Sequence, residues 1–301
     1  MKKILLIFKI FTKPRKAVSF LFFTLFSTLP VQIIKLFYRI INLVFGKSFQ
    51  LNFFSRLQNE LDLKLNNDGI YFDGSSKSGA SRAYRFLTKE PETLYWINTF
   101  FKPEDTFYDI GANLGVYSLY AAKKVGSMVV AFEPESLSYS VLNKNIYYNQ
   151  LQDKIMALNI ALHDEDIISN LNISKFEPGR SSHNFYEELD HNHKKFVPAH
   201  KQSVIGMKLD TFLLNENIPF PNHIKIDVDG NEHKIIKGMQ NCLEDERLKT
   251  IMIEVHMKLD VHKELINSLK NYNFYRLKDD KFINEEYEEI GTPNIFFARS
   301  K

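Results

Sequence analysis

The sequence predicts an α/β fold built on a doubly wound, mostly parallel sheet of seven strands, with helices on both faces. Between residues 101 and 301, short apolar runs rich in Val, Ile and Phe alternate with segments of helical periodicity. A buried strand at 106–110 also breaks into a glycine turn and then a helix, and a second buried strand ends in an acid, Glu133. This spacing is typical of sheets that bind a nucleoside at the ends of their first two strands.

Residues 1–47 form an apolar and amphipathic N-terminal segment. Residues 17–34 carry no charge, and from Val31 apolar residues recur at helical spacing around a basic stripe. Pro30 shortens the apolar run, and six basic residues precede it. We therefore expect an in-plane or re-entrant anchor on the cytoplasmic face of the membrane, through residues 1–46, rather than a spanning helix. The alternative is a helical pair packed on the protein itself or on a second subunit.

Residues 48–100 are predicted to form a small cap. Segments 61–65 and 70–72 flank an Asn-Asn-Asp-Gly turn and indicate a β-hairpin. The polar stretch 75–79 indicates a flexible loop. Residues 90–101 have helical spacing, with Pro91 acceptable in the first turn.

The third region, 101–301, contains the sheet. The predicted strands are 106–110, 128–132, 155–160, 224–228, 250–255, 273–278 and 294–299, and the predicted helices are 116–124, 136–148, 232–243 and 260–271. Because no helix separates the last two strands, one of them should pair antiparallel at the end of the sheet.

The glycine turn after the first strand indicates the kind of cofactor. It reads Asp109-Ile-Gly111-Ala-Asn-Leu-Gly115 and lacks the G-x-G-x-x-G pattern of dinucleotide folds. A carboxylate at Asp109 suits a cationic ligand better than a pyrophosphate. This preference favours S-adenosylmethionine as the cofactor. Glycines at 111 and 115 let the backbone approach the ligand closely, or simply make a tight turn. NAD binding, and with it an oxidoreductase, is the second interpretation.

Several ordered motifs resemble the FkbM-type methyltransferases over roughly residues 90 to 300. They are 107–119, 131–134, 142–145, 161–164, 224–232 and 253–256. The resemblance implies a Rossmann-like class I methyltransferase fold, S-adenosylmethionine as cofactor, and methyl transfer to a hydroxyl of a sugar, glycan or other metabolite. The region 163–203 is longer and more polar than these motifs require, and we expect it to shape the choice of acceptor.

The cofactor site is predicted at the carboxyl ends of the first strands. Glu133 should accept the ribose hydroxyls, and Asn113 with the backbone at Gly111 and Gly115 should hold the methionine part. Ala161 and Leu162 lie where adenine would stack. His163 or Asp164 would then hydrogen-bond the adenine.

The catalytic candidates follow the later strands. Lys225, Asp227 and Asp229 would share one face of a strand, with Glu232 at the start of the next helix. Asp227 could orient or deprotonate the acceptor hydroxyl, or the carboxylates could hold a divalent metal, and we rank the metal-free reading first. His256 could instead serve as general base or be a structural histidine.

Further features narrow the function. Arg180 and His183 could meet an anionic or polyhydroxyl acceptor, whereas His191, His193 and His200 are expected at the surface. A net charge of +3 is too small to indicate nucleic acid, and the single cysteine, Cys242, fits the reducing cytoplasm. A membrane-tethered nucleoside-binding module without catalysis is a third hypothesis.

Overall fold

The computed structural model describes residues 63–277 and 293–300, apart from residues 182, 191 and 192, and six residues between 32 and 40. The chain divides into two units, residues 1–62 and 63–301. In the first unit the six described residues are all helical: Gln32, Ile33, Lys35, Leu36, Arg39 and Ile40. The remainder of the predicted anchor lies outside the described residues. Within the described part of the chain, no helix has both the length and the apolar character to cross a membrane.

The second unit begins with the hairpin and helix that the sequence predicts. Strands β1 (Lys64–Asn67) and β2 (Ile70–Asp73) pair antiparallel, and helix α2 (Pro91–Phe100) follows later. The flexible loop predicted at 75–79 is wrong, because helix α1 (Lys77–Lys89) occupies most of it. Ser76 caps this helix, since its hydroxyl oxygen accepts a hydrogen bond from the Gly79 N–H at 2.9 Å.

The remaining elements begin with alternating strands and helices, and five consecutive strands, β5 to β9, interrupt this pattern. They are β3 (Thr106–Ile110), α3 (Val116–Tyr120), β4 (Met128–Phe132), α4 (Ser136–Asn149), β5 (Ile155–Leu158), β6 (Ala161–Leu162), β7 (Ile167–Ile173), β8 (Asn184–Phe185), β9 (His200–Met207), α5 (Leu209–Phe212), β10 (His223–Ile226), α6 (Glu232–Lys237), α7 (Gln240–Glu244), β11 (Thr250–Glu254), α8 (Asp260–Ser268), β12 (Phe274–Arg276) and β13 (Asn294–Arg299). Two predicted helices are subdivided: a π-helical turn, Ala121–Val125, continues α3, and the predicted helix 232–243 breaks into α6 and α7.

Seven strands form the main sheet in the order β12-β13-β11-β10-β3-β4-β5. Strand β13 is antiparallel to both neighbours, and the five strands from β11 to β5 are parallel. The prediction of a seven-stranded Rossmann-like class I methyltransferase sheet is confirmed. Strands β4 and β10 lie on opposite sides of β3, so the strand order reverses there. A crevice for ligands opens at such a point, beyond the carboxyl ends of the strands.

The two faces of the sheet bury separate cores. Phe107 packs with Trp96 and Leu142 on one face, whereas the next residue, Tyr108, packs with Ile235 on the other. This alternation follows from the two-residue period of a strand, and it explains why the buried strands are apolar throughout. Both cores hold the strand ends in fixed positions around the crevice.

A second sheet lies in the region that the sequence marks only as long and polar. Its order is β6-β9-β7-β8, with β7 and β9 antiparallel over seven residue pairs. Leu171, Ile173 and Phe185 bury a small core beneath it. The predicted strand 155–160 ends at Leu158, and the chain enters this second sheet at Ala161.

Candidate active site

Two cavities meet at the carboxyl ends of β3, β4 and β10. The larger has a volume of about 780 Å³ and is lined by residues of α1, the glycine turn, β10 and β11. The narrower one is lined by residues that follow β4 and by the second sheet. Gly111, Asn113, Arg180, Asp227 and Asp229 line both cavities. A ligand that spans the two would therefore contact these five residues.

The glycine turn is shaped by close contact between strands. Gly111 has a φ of +82°, and a Cβ there would lie 1.9 Å from the carbonyl oxygen of Asp227. Gly115 has a φ of +79°, and a Cβ there would lie 2.2 Å from a methyl carbon of Leu142. Gly111 lines both cavities, but Gly115 lines neither. The turn thus needs glycine for packing at both positions, and only Gly111 is placed to meet a ligand.

Asp109 lies deeper than the sequence suggested. It belongs to β3, is 2% exposed, and its Oδ2 accepts a hydrogen bond from the Ser118 hydroxyl at 2.6 Å. It lines the larger cavity from within the strand and does not belong to the glycine turn. Burial raises the pKa of Asp109, partly offset by the Lys225 ammonium.

Asn113 and Glu133 are joined directly. The Asn113 N–H donates to Glu133 Oε2 at 2.7 Å, and the Glu135 N–H donates to Glu133 Oε1 at 2.8 Å. Burial raises the pKa of Glu133 to about 8, although these two hydrogen bonds oppose the shift. The Asn113 side chain donates to the Arg180 carbonyl at 2.9 Å, while its Oδ1 is buried without a hydrogen-bond partner among the described residues.

The narrower cavity has mainly apolar walls. Glu133 stands at one side, and apolar side chains from the second sheet and its neighbours, including Ala161, Leu162 and Phe185, form the walls. The half-buried His183 also lines it. His163 and Asp164 line neither cavity, and His163 packs instead against Phe185 at a ring-centroid distance of 5.4 Å.

Lys225 and Asp227 form an ion pair on the floor of the larger cavity. Lys225 Nζ lies 2.6 Å from Asp227 Oδ2 and 3.9 Å from Glu90 Oε2. Burial by itself lowers the pKa of Lys225, but Asp227, Glu90 and Asp109 outweigh it and raise that pKa above its ordinary value. Lys225 and Lys89 in turn hold the pKa of Glu90 at about 2, against the effect of burial. Lys225 is therefore held as the cationic partner of Asp227.

The strand that was predicted to present Lys225, Asp227 and Asp229 on one face is shorter than expected. Strand β10 ends at Ile226, and Asp229 lies in the following turn with a φ of +60°. Asp229 lines both cavities by way of this turn rather than by strand alternation. Glu232 lines neither cavity. Its Oε1 accepts hydrogen bonds from the N–H groups of Val228 and Gly230 at 3.0 and 3.2 Å, which hold the turn in place.

At the end of β11, Glu254 lines the larger cavity, whereas His256 lines neither. Burial, reinforced by the charges of Asp227, Glu232 and Asp229, raises the pKa of Glu254 to about 9. His256 is 9% exposed, and its backbone N–H donates to the Nδ1 atom of His262 at 2.8 Å. The structure therefore brings Glu254, and not His256, to the other candidate residues.

The histidines expected at the surface differ in position. His200 is exposed at the start of β9, and His191 lies outside the described residues. His193 is half-buried, with its ring 6.1 Å from that of His233 and 6.4 Å from that of His262, so the surface prediction is wrong for this residue. Across the described residues, no group of three or more His, Cys, Asp or Glu side chains could hold a metal ion.

Some residues of the cavity are absent from the sequence predictions. Glu90 lies at the junction of α1 and α2, and Tyr117 places its ring 5.2 Å from Lys225 Nζ. Arg82 and Arg85 come from α1, a helix that the sequence did not predict. Glu254, which also lines the cavity, carried a usable signal, since it lies near the end of the predicted strand 250–255.

These residues fit S-adenosylmethionine. Glu133 offers a buried carboxylate next to an apolar slot, which suits an adenosine, and the unpartnered Oδ1 of Asn113 is free to accept a hydrogen bond from an ammonium group. The acidic floor suits the positive charge of the sulfonium. The fold and the site together define a nucleoside-cofactor site of the class I methyltransferase type.

Residues 109–275 match the family model described as the methyltransferase FkbM domain. Because the match covers more than half of the chain, the chain belongs to the FkbM methyltransferase family. Its domain is that of a methyltransferase that uses S-adenosylmethionine, as the sequence resemblance implied.

Two relatives are named as methyltransferases. The chain is 26% identical over 157 residues to the hexuronic acid methyltransferase AglP of Haloferax volcanii, which covers 52% of this chain and 58% of AglP. It is 27% identical over 177 residues to the methyltransferase sdnD of Sordaria araneosa, which covers 52% of this chain and 68% of sdnD. The chain thus matches little more than half the length of AglP.

Among solved structures, the chain is similar to M. capricolum TrmK in complex with S-adenosyl-homocysteine. The identity is 12% and the TM-score is 0.40, with 69% of this chain and 68% of TrmK covered. A similarity of this extent carries no information about the site.

Proposed function

We propose that this chain transfers the methyl group of S-adenosylmethionine to a hydroxyl of a sugar, a glycan or another hydroxylated metabolite. The observation that supports this most directly is the Lys225–Asp227 pair, with its 2.6 Å contact on the floor of a cavity of about 780 Å³. A carboxylate in that position can take the proton of a hydroxyl nucleophile. The hexuronic acid named for AglP supports a sugar as the acceptor.

The residues have separate roles in this reaction. S-adenosylmethionine, when bound, supplies a methyl group on a positively charged sulfur. Glu133 accepts hydrogen bonds from the ribose hydroxyls, and Asn113 accepts one from the ammonium group of the methionine part. Asp227 accepts the acceptor's hydroxyl proton as the new carbon–oxygen bond forms. Lys225 holds Asp227 in position, so that the carboxylate is oriented before the acceptor arrives.

In this proposal Lys225, rather than a metal ion, provides the positive charge beside Asp227. Asp229 lines both cavities and takes part in cofactor or acceptor binding. Activity should therefore survive dialysis against EDTA. A loss of turnover that Mg²⁺ restores would favour the metal-assisted reading instead.

The test is transfer of a labelled methyl group to a panel of mono- and oligosaccharides, with the wild-type chain and with Asp227→Asn. Asp227→Asn should lower kcat by about 10²- to 10⁴-fold, because it removes the proton acceptor. Its affinity for S-adenosylhomocysteine should stay within about threefold, which separates catalysis from cofactor binding. Unchanged turnover in the variant would remove Asp227 from its role. Cofactor binding without transfer to any hydroxyl would favour the non-catalytic binding module.

We further propose that the N-terminal segment places the enzyme at the inner face of a membrane. This rests on the uncharged run at 17–34 and on the basic stripe that follows it. Each basic residue near an anionic surface contributes about 1 kcal/mol of attraction. The full chain should therefore co-sediment with anionic vesicles, and Lys35→Glu combined with Arg39→Glu should weaken this by about tenfold or more. Equal sedimentation of wild type and variant would contradict the proposal.

A further inference from the structure

Helix α1 presents one side to the larger cavity. Ser78, Ser81, Arg82, Arg85 and Lys89 all line it, and their spacing of three or four residues places them along one face of the helix. Ala83 and Phe86 of the same helix belong to the buried core. Helix α1 is therefore a fixed wall of the cavity.

The segment 175–181 also lines this cavity and is linked to α1. The guanidinium of Arg82 donates from both Nε and Nη2 to the carbonyl oxygen of Gly179, each at 3.1 Å. Next to it, the carbonyl oxygen of Arg180 accepts a hydrogen bond from the Asn113 side chain. We call the cavity-lining residues of 76–89 and 175–181 the rim. Arg82 is a positioning residue, because it joins the two parts of the rim.

The charges of the cavity are sorted by depth. Six basic side chains lie on the rim: Lys77, Arg82, Arg85, Lys89, Lys175 and Arg180. The only acid that the same rim segments contribute to the described cavity lining is Glu177. The floor, at the strand ends, carries four carboxyl groups, Asp109, Asp227, Asp229 and Glu254, together with the ammonium of Lys225, which is paired with Asp227. The rim is thus mainly basic, whereas the floor combines carboxyl groups with a lysine that is already paired.

Several of the basic groups already have a partner. Lys89 Nζ lies 2.6 Å from Glu90, and Glu177 is shared between Lys175 at 2.8 Å and Arg180 at 3.4 Å. The guanidinium of Arg85, in contrast, makes no hydrogen bond or ion pair with any described residue, although it is exposed at the cavity. A guanidinium presents a fixed fork of donors that matches a carboxylate or phosphate.

We propose that the rim selects an acceptor that carries an anionic group, with Arg85 and Arg180 as its main ligands. The inference rests on the proposed function and adds a substrate class to it. The lysine of the floor, Lys225, is already paired with Asp227, whereas Arg85 on the rim has no partner among the described residues, so an anion is attracted to the rim. The acceptor would therefore bind with its anionic group at the rim and its reacting hydroxyl toward Asp227. Carboxylates and phosphates share this chemistry.

The test uses the full-length protein saturated with S-adenosylhomocysteine, and calorimetric titration with glucuronate, glucose 6-phosphate and glucose. At least one of the two anionic sugars should bind about tenfold or more tightly than glucose, as expected for a charge-assisted bidentate contact. Tighter binding of glucuronate would identify a carboxylate as the anion, and tighter binding of glucose 6-phosphate a phosphate. Equal binding of all three sugars, or no binding of either anionic sugar, would overturn the proposal.

Variants identify the residues responsible. Arg85→Gln should abolish most of the preference, and Arg85→Lys should retain part of it, because a lysine keeps the charge but not the fork. The matched control is Arg247→Gln, which removes an exposed arginine that pairs with Asp245 at 2.7 Å and lines neither cavity. This control should keep the full preference. A preference that survives Arg85→Gln combined with Arg180→Gln would overturn the assignment to the rim.

The methyl donor has a carboxylate of its own, so its affinity is measured in the same variants. Arg85→Gln should bind S-adenosylhomocysteine within about twofold of wild type, which also shows that the variant is folded. A large loss of this affinity would assign Arg85 to the donor and overturn its acceptor role. Failure of the wild type to bind S-adenosylhomocysteine would instead refute the proposed function itself.

Discussion

Glu133 and Glu135 stand two residues apart after β4, and both are buried. Both line the narrower cavity, and Glu133 accepts a hydrogen bond from the N–H of Asn113. The carboxylate of Glu135 accepts hydrogen bonds from the N–H groups of Leu137 and Ser138, at 2.9 and 2.7 Å, and so caps helix α4. The two carboxyl groups therefore differ in that both oxygens of Glu135 are engaged by the helix cap.

This pair provides a matched test of the ribose site. Glu133→Gln should weaken S-adenosylhomocysteine binding by about tenfold or more, because the amide replaces one acceptor oxygen for the ribose hydroxyls with an NH₂ donor. Glu135→Gln should leave the affinity nearly unchanged and lower the free energy of unfolding by about 1 kcal/mol, as expected for a weakened cap. Calorimetry measures the affinity, and denaturant unfolding the stability. Equal effects of the two substitutions on affinity would contradict the ribose role.

Two buried carboxyl groups predict how stability depends on pH. Burial raises the pKa of Glu133 to about 8 and that of Glu254 to about 9, from an ordinary value of 4.5. The folded protein therefore holds protons that the unfolded chain has already released. This contribution to stability is complete below pH 4.5 and is lost as the pH rises through 8 and 9.

The melting temperature of the ligand-free protein should accordingly fall between pH 6 and 9. Because glutamine does not titrate, Glu133→Gln combined with Glu254→Gln should flatten this dependence, and the measurement is thermal unfolding across that range. A wild-type melting temperature that rises between pH 6 and 9 would contradict this prediction. An identical slope of melting temperature against pH in the double variant would show that these two carboxyl groups do not control the pH dependence of stability.

At the scale of the elements, helix α1 shows where local patterns are insufficient. The polar stretch 75–79 has the composition of a loop, and the residue that begins the helix, Ser76, is part of that stretch. Serine is equally common in turns and at helix N-caps. The helix is stabilised by the burial of Phe86 and Ala83 in a core that includes Phe72 and Tyr120. Tertiary packing therefore decides the outcome.

The cap of α1 can be tested separately from its cavity face. Ser76→Ala should lower the free energy of unfolding by about 1 kcal/mol, because the Gly79 N–H loses its acceptor. Thr88→Ala is the matched control. Its hydroxyl only donates to the Arg85 carbonyl on the exposed side of the same helix, so it should change stability by no more than about 0.5 kcal/mol. Denaturant unfolding measures both, and an equal loss in the two variants would contradict the capping role.

The second sheet was missed for a different reason. Strand β7 pairs with β9, from Ile173 with His200 to Ile167 with Gly206, so no tight turn connects the two. Strands β6 and β8 have two residues each, which is too short to show alternation. A hairpin such as β1–β2, with its Asn-Asn-Asp-Gly turn, can be read locally, but a pairing between distant segments cannot.

At the scale of the whole molecule, the sequence predicts the sheet and the edge at which ligands bind. Alternating strands and helices are sufficient for this, because parallel strands bring their carboxyl ends to one edge. Asp109, Glu133 and Asp227 meet there for that reason. Composition does not reveal the sorting of charge between floor and rim, since a net charge of +3 averages over both. The rim depends on how α1 and the segment 175–181 approach each other, which involves no local pattern.

The central claim is that the two adjoining cavities hold S-adenosylmethionine, with Glu133 at the ribose. The most direct measurement is calorimetric titration of the full chain with S-adenosylhomocysteine, with NAD as the comparison ligand. One molecule should bind per chain, and an excess of 100-fold over Kd should stabilise the fold by about 2.7 kcal/mol, whereas NAD should do neither. Binding of NAD in preference, or no affinity for S-adenosylhomocysteine, would contradict the account.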